Sequence, residues 1–220
     1  MTENLKDLFE DELKDMYSAE QQILKALPKL IKAARSDELR EALENHLDET
    51  QGQKERLEKI FSTLGLPAKS RTCEGIKGIL AEGDEMVGEA GDQVIDACIA
   101  ASAQKVEHYE WSSYGTLKTW AVLLGHDDIA TLLEESETEE KAADARLTEI
   151  AESFANDEAL TGEREDEEEE TQSRGRRAGE EEEEDEERPS RSRTPVGVKS
   201  TTEATRRRDR APGKDMKTSR

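Results

Sequence analysis

Four stretches of this chain carry an apolar stripe at helical spacing that is broken near its middle by carboxylates. In the first stretch the stripe is Leu13, Tyr17, Glu20, Leu24 and Leu27. In the second it is Ala42, His46, Glu49, Gln53, Leu57, Ile60 and Leu64, with three consecutive polar positions. The third runs Ile99, Ala103, Glu107, Glu110, Tyr114 and Leu117, and the fourth Ile129, Leu133, Glu137, Glu140, Asp144, Leu147 and Ala151. Residues spaced by three and four share one helix face. In a chain that is 39% charged, a single helical glutamate ordinarily marks a solvated face. A solvated face, however, is polar along its whole length, whereas these seams are apolar on both sides of the acid. Packing the four seams together carries the carboxylates into a dry centre. Burying one unpaired carboxylate is costly, and a cluster is worse because the charges repel. Protonation relieves that cost, and so does a multivalent cation. Oxygen donors with one imidazole suit iron, manganese or zinc.

Local signals place the ends of these helices. The first runs from residue 4 to about 34, with Pro28 predicting a kink near Leu24. Ser36 is a good N-cap for the second, which ends near Leu64 before Gly65 and Pro67. Residues 73–90 read as a weaker helix, diluted by Gly75, Gly78, Gly83 and Gly88, that connects two helix pairs. Gly91 and Asp92 open the third long helix, and Gly125 closes it. The fourth runs from Asp127 to about Asn156, with His126 at its start. The expected architecture is an all-α four-helix bundle with a short crossover helix.

Composition divides the chain. Residues 1–160 carry a net charge of −19 and residues 161–220 only −3. Beyond the bundle, residues 165–170 and 180–187 are acidic blocks, and residues 188–220 hold 11 Lys or Arg against 3 acids. Such a segment has almost nothing to bury and is expected to be a disordered charged tail over residues 159–220, with the bundle at residues 1–158. The acidic bundle repels nucleic acid and anionic membranes, so nucleic acid is expected only at the basic part of the tail. No run approaches a membrane span and the first residues are no secretion signal, which points to the cytoplasm. Cys73 and Cys98 are expected to be reduced thiols.

The two halves also repeat. The polar positions 46, 49 and 53 on the second helix have the same offsets as 137, 140 and 144 on the fourth, and each set follows a helix with an inward Glu. A dinuclear metal centre in a bundle needs such matched contributions from its helices. His46 lies one turn before Glu49. His108 is rotated about 100° from Glu107 and is expected to face a neighbour. Tyr17 and Tyr114 flank the acids, each able to donate to a ligand carboxylate or to pack, with packing favoured for Tyr17.

Four motifs carry a family likeness. They are Tyr17-Ser18-Ala19-Glu20; His46-Leu47-Asp48-Glu49-Thr50-Gln51-Gly52-Gln53 with Arg56; Gln104-Lys105-Val106-Glu107-His108-Tyr109-Glu110 with Tyr114-Gly115-Thr116-Leu117; and Glu139-Glu140-Lys141-Ala142-Ala143-Asp144. Over residues 3–155 the chain resembles the YciE/YciF-type ferritin-like family. The resemblance implies a ferritin-like fold, a homodimer, a rubrerythrin-related di-iron site and a link to stress responses. It matches Glu107 and Glu110 to the third-helix pair, and Glu20, Glu49 and Glu140 to the single glutamates of the other helices. Gly52 and Ala143 stand where the Glu-xx-His motifs would have histidine, with His46 and Asp144 one turn away as substitutes.

The resulting expectation is two iron ions, with manganese or zinc as alternatives. Glu107 and Glu140 would bridge them, with Glu20, Glu49, Glu110, Asp144 and His46 terminal. The expected activity is iron(II) oxidation or peroxide scavenging, with dioxygen or peroxide as the other substrate. Manganese-dependent peroxide disproportionation and a non-catalytic metal-holding or assembly role are the alternatives.

Overall fold

The computed structural model describes residues 2–161; the expected tail beyond Thr161 lies outside the described residues. Five α-helices follow one another: α1 Leu5–Ala33, α2 Asp37–Thr63, α3 Glu74–Glu89, α4 Ile95–Leu123 and α5 Asp127–Ile150, and a π-helical turn, Ala151–Ala155, extends α5. No strand occurs among the described residues. Helix α1 pairs with α2 and α4 with α5; the pairs close into a bundle through α1 on α4 and α2 on α5. The crossover helix α3 lies outside, against α4 and α1. This is the all-α, ferritin-like bundle with a crossover helix that the stripes require.

The helix ends follow from their residues. Asn4 Oδ1 accepts the Asp7 N–H at 3.0 Å, and Ser36 Oγ accepts that of Leu39 at 3.0 Å. Gly65 and Gly125 sit at φ 68° and 79°, where any other residue would be strained. Each lets the next N–H reach back, Leu66 to Phe61 O and His126 to Ala121 O, both at 2.9 Å. Helix α1 continues past the exposed Pro28 as one helix. The expected start of α4 at Gly91 is corrected: α4 begins at Ile95, after a turn closed by the Val94 N–H to Gly91 O at 3.1 Å.

Apolar residues fill the bundle above and below its middle. Phe9, Leu13, Leu57, Ile60, Phe61, Leu117, Ile129 and Leu133 are among those with almost no exposed surface, as are Leu39, Leu43, Ile99 and Ile150. Burial of this kind is the main term holding the helices together, at about 25 cal/mol per Å². Cys73 and Cys98 are free thiols. Cys73, at the start of α3, contacts the Tyr109 hydroxyl at 2.9 Å and fixes the crossover to α4.

Candidate metal centre

Between those apolar zones the seams turn polar. Glu20 on α1, His46 and Gln53 on α2, Glu107 and Glu110 on α4, and Glu140 on α5 are all buried. One ligand atom each from His46, Glu107, Glu110 and Glu140 falls within 4.8 Å of the others. His46 Nε2 lies 3.3 Å from Glu107 Oε1, without the alignment of a hydrogen bond.

Among the described residues, every fully buried side-chain nitrogen or oxygen that lacks a hydrogen-bond partner belongs to these six side chains. The atoms are Glu20 Oε2, both His46 ring nitrogens, Gln53 Oε1, Glu107 Oε2, both Glu110 oxygens and Glu140 Oε2. Native interiors rarely leave such atoms unpaired, and each one left alone costs about 1–3 kcal/mol. Eight of them in one place fit a cation: all but Nδ1 or Nε2–H of the neutral imidazole are electron-pair donors, and the oxygens and one nitrogen form a set that iron, manganese and zinc accept.

The electrostatics point the same way. Burial, followed by the charge of Glu140, pushes the Glu20 carboxyl well above its usual range. Burial and then the neighbouring acids do the same to Glu107 and Glu110. Burial raises Glu140 to about 7. Glu20 lies beside Glu110 and Glu107 beside Glu140, so the ionised forms of each pair repel and a bound cation relieves that repulsion. Burial lowers His46 to about 4, which keeps the imidazole neutral and its lone pair available.

A surrounding layer holds these groups in place. The buried Tyr114 hydroxyl, one turn beyond Glu110, donates to Glu20 Oε1. The Gln53 amide nitrogen donates to Glu140 Oε1 and, at 3.1 Å, to Glu139 Oε2, which leaves its buried oxygen without a partner. Arg56 grips Glu139 with both terminal nitrogens and also donates to Ser136 at 3.0 Å.

The structure gathers Glu20, His46, Glu107, Glu110 and Glu140. It places the other two expected ligands at the rim. Asp144 is partly exposed and lies 3.2 Å from both Gln104 Nε2 and His108 Nε2. Glu49 is exposed, because the α2 seam runs Leu39, Leu43, His46, Thr50, Gln53, Leu57 and Ile60 rather than through Ala42 and Glu49. On α1 the inward residue beyond Glu20 is Ile23 rather than Leu24. Tyr17 packs edge-on against Phe61 and donates to Glu58 at 2.7 Å, away from the cluster. His108 is exposed and meets α5 through Asp144, as its rotation from Glu107 implied. Glu137 is buried but held by Lys118 and Lys141. Sequence reasoning counted Gln53 in the repeated polar set but not among the ligands, and gave Glu139 no role. The inward position of Gln53 was the available signal, whereas the Arg56–Glu139 pairing joins residues 83 apart and leaves no local trace.

Comparison with known proteins places this arrangement. Protein YciF of Escherichia coli (strain K12) is 43% identical over 149 residues, covering 67% of this chain and 90% of that protein. The crystal structure of the E. coli stress protein YciF superposes with a TM-score of 0.67 at 42% identity, over 70% of this chain and 98% of that one. YcfI from Rhodopseudomonas palustris gives 0.66 at 48% identity, over 67% and 94%. A Xanthomonas campestris pv. campestris protein shares the fold alone, with a TM-score of 0.57 at 20% identity over 72% and 98%. The family described as "Domain of unknown function (DUF892)" matches residues 4–160, and the chain is a YciF homologue belonging to that family.

Proposed function

We propose that this chain is a stress-response protein that holds a pair of iron ions at the centre of its bundle and oxidises iron(II) with dioxygen or peroxide. The observation that carries the reading is that buried His46, Glu107, Glu110 and Glu140 bring one ligand atom each within 4.8 Å of the others, while every unpartnered buried side-chain polar atom among the described residues belongs to these four or to Glu20 and Gln53. The description of the E. coli relative as a stress protein supports the physiological setting. Glu20, His46, Glu107, Glu110 and Glu140 would hold the ions, with Glu49 and Asp144 closing from the rim. Glu107 and Glu140 face each other across the cluster and suit the shared, bridging positions. Bound iron would supply one-electron chemistry toward dioxygen or peroxide.

The chain's own part is positioning, exclusion of water and proton handling. Tyr114 fixes the rotamer of Glu20, and the Arg56–Glu139–Gln53 chain fixes Glu140. Carboxyls raised by burial must ionise to ligate a cation, so loading releases protons. We further place the protein in the cytoplasm as a homodimer; no described helix is long and apolar enough to cross a membrane, and Trp111, Val122 and Leu123 expose apolar surface on α4.

The single imidazole among carboxylates also suits manganese, which supports peroxide disproportionation as a second reading. Oxygen evolution from peroxide with manganese but not with iron would select it. The direct test is anaerobic iron(II) titration of the metal-free full chain. Uptake should reach about two ions per chain and vanish in a Glu107→Ala, Glu140→Ala double variant. No uptake by the parent protein removes the reading.

A further inference from the structure

The bundle wall between α2 and α5 is interrupted by a cavity of about 360 Å³. Its lining joins two unlike zones. His46 and Glu107, both buried and both belonging to the unpartnered cluster, form its inner end. Glu38, Glu41 and Glu49, all exposed, form its outer rim. The cavity is therefore a passage from solvent to the carboxylate centre.

What can use it follows from charge and size. Three rim carboxylates face one guanidinium, that of Arg146, which is already engaged by Glu38 at 2.6 Å and Glu149 at 2.8 Å. A cleft of one sign with low-dielectric walls concentrates the opposite sign and repels its own. Anions such as organic acids or phosphates are disfavoured there, and cations are drawn in. The volume equals on the order of ten waters at about 30 Å³ each, so a divalent cation fits with its inner water shell. Ala142 and Ala143, on the α5 side, keep the passage open by being small. Glu49 sits between the zones: it lines the cavity one helical turn from His46.

We propose that this cavity is the route by which divalent cations reach the centre. Glu38 and Glu41 gather them at the rim, Glu49 supplies the first protein ligand, and His46 receives them at the inner end. Glu49 thus acts first during loading, before it closes the filled centre from the rim. The proposal rests on the centre being a metal site.

The test separates route from destination. Metal-free full-length protein is mixed rapidly with cobalt(II), loading is followed by the cobalt absorption bands, and final stoichiometry is measured by equilibrium dialysis. Ala143→Phe should slow loading by about tenfold or more while leaving final stoichiometry unchanged. Glu38→Gln with Glu41→Gln should slow it several-fold at low salt, with the difference fading near 1 M salt, where the Debye length is about 3 Å. Far-UV circular dichroism checks the fold, and Ala142→Leu replaces Ala143→Phe if the latter does not fold. A blocked variant that loads within about twofold of the parent overturns the route but leaves the centre standing. A parent protein that takes up no cobalt overturns both.

Discussion

Asp96 and Glu110 are carboxylates buried on the same helix, about 21 Å apart along its axis, and their surroundings are opposite. Asp96 accepts the backbone N–H groups of Arg35 and Ser36 at 2.8 Å each, tying the α1–α2 turn to the start of α4. Neither oxygen of Glu110 has a partner. Glu137, buried one turn from Glu140, resembles Asp96 in being fully occupied, by Lys118 and Lys141. Burial of an acid therefore says little by itself. What distinguishes the centre is that each of its acids keeps at least one buried oxygen for which the protein supplies no partner, and a cation can complete them.

That contrast breaks most visibly on metal addition. Saturating iron(II) or cobalt(II) at about a thousand times Kd stabilises a site-bearing fold by about 4 kcal/mol. For a domain of this size the melting temperature should rise by about 10 °C. The rise should survive Asp96→Asn and vanish in Glu107→Ala, Glu140→Ala, as differential scanning calorimetry would show.

The next effect is pH dependence of the metal-free protein. Glu140 is raised to about 7 in the folded state, from 4.5. Between those values the folded state binds more protons than the unfolded one, so stability is full below about 4.5 and declines as pH rises through about 7. Glu140 alone should contribute about 3 kcal/mol of that decline in urea titrations. Glu140→Gln should lessen it but keep the share of Glu20, Glu107 and Glu110, and the trend should reverse in metal-loaded protein, where proton release favours loading at higher pH.

Asp96→Ala should cost about 2–3 kcal/mol with or without metal, because it leaves two partly buried N–H groups unpaired and unties the α1–α2 turn from α4. The smallest change sharpens the comparison most. Glu110→Gln removes a buried ionisable group without changing shape, so at pH 8 it should stabilise metal-free protein by about 1–2 kcal/mol while weakening metal uptake. A Glu110→Gln protein that is less stable without metal would place Glu110 beside Asp96 as a structural acid.

Helix ends were legible where a local signal marks them, as at Ser36, Gly65 and Gly125, which act within one turn; the start of α4 was not, because Gly91 opens a turn before the helix. The centre was legible where an acid replaces an apolar residue between two others, as at Glu20, Glu107, Glu110 and Glu140. On α2 the register was not, because Thr50 and Gln53 are polar and Glu49 competes with Thr50 for the same turn. A seam with few apolar markers can be threaded through either. The Asp96 clasp and the Arg56–Glu139 pair join residues 60 and 83 apart, and nothing near either partner in the chain announces the other.

The central claim is that the unpartnered atoms of Glu20, His46, Glu107, Glu110 and Glu140 are metal donors. Anomalous diffraction at the iron edge, from crystals of the full chain grown metal-free and soaked anaerobically in iron(II), tests it most directly. The account predicts a pair of peaks enclosed by these side chains, absent in Glu107→Ala, Glu140→Ala crystals. A map with no peak there, and with the carboxyl groups bonded to one another in fully ionised-buffer conditions, would contradict it.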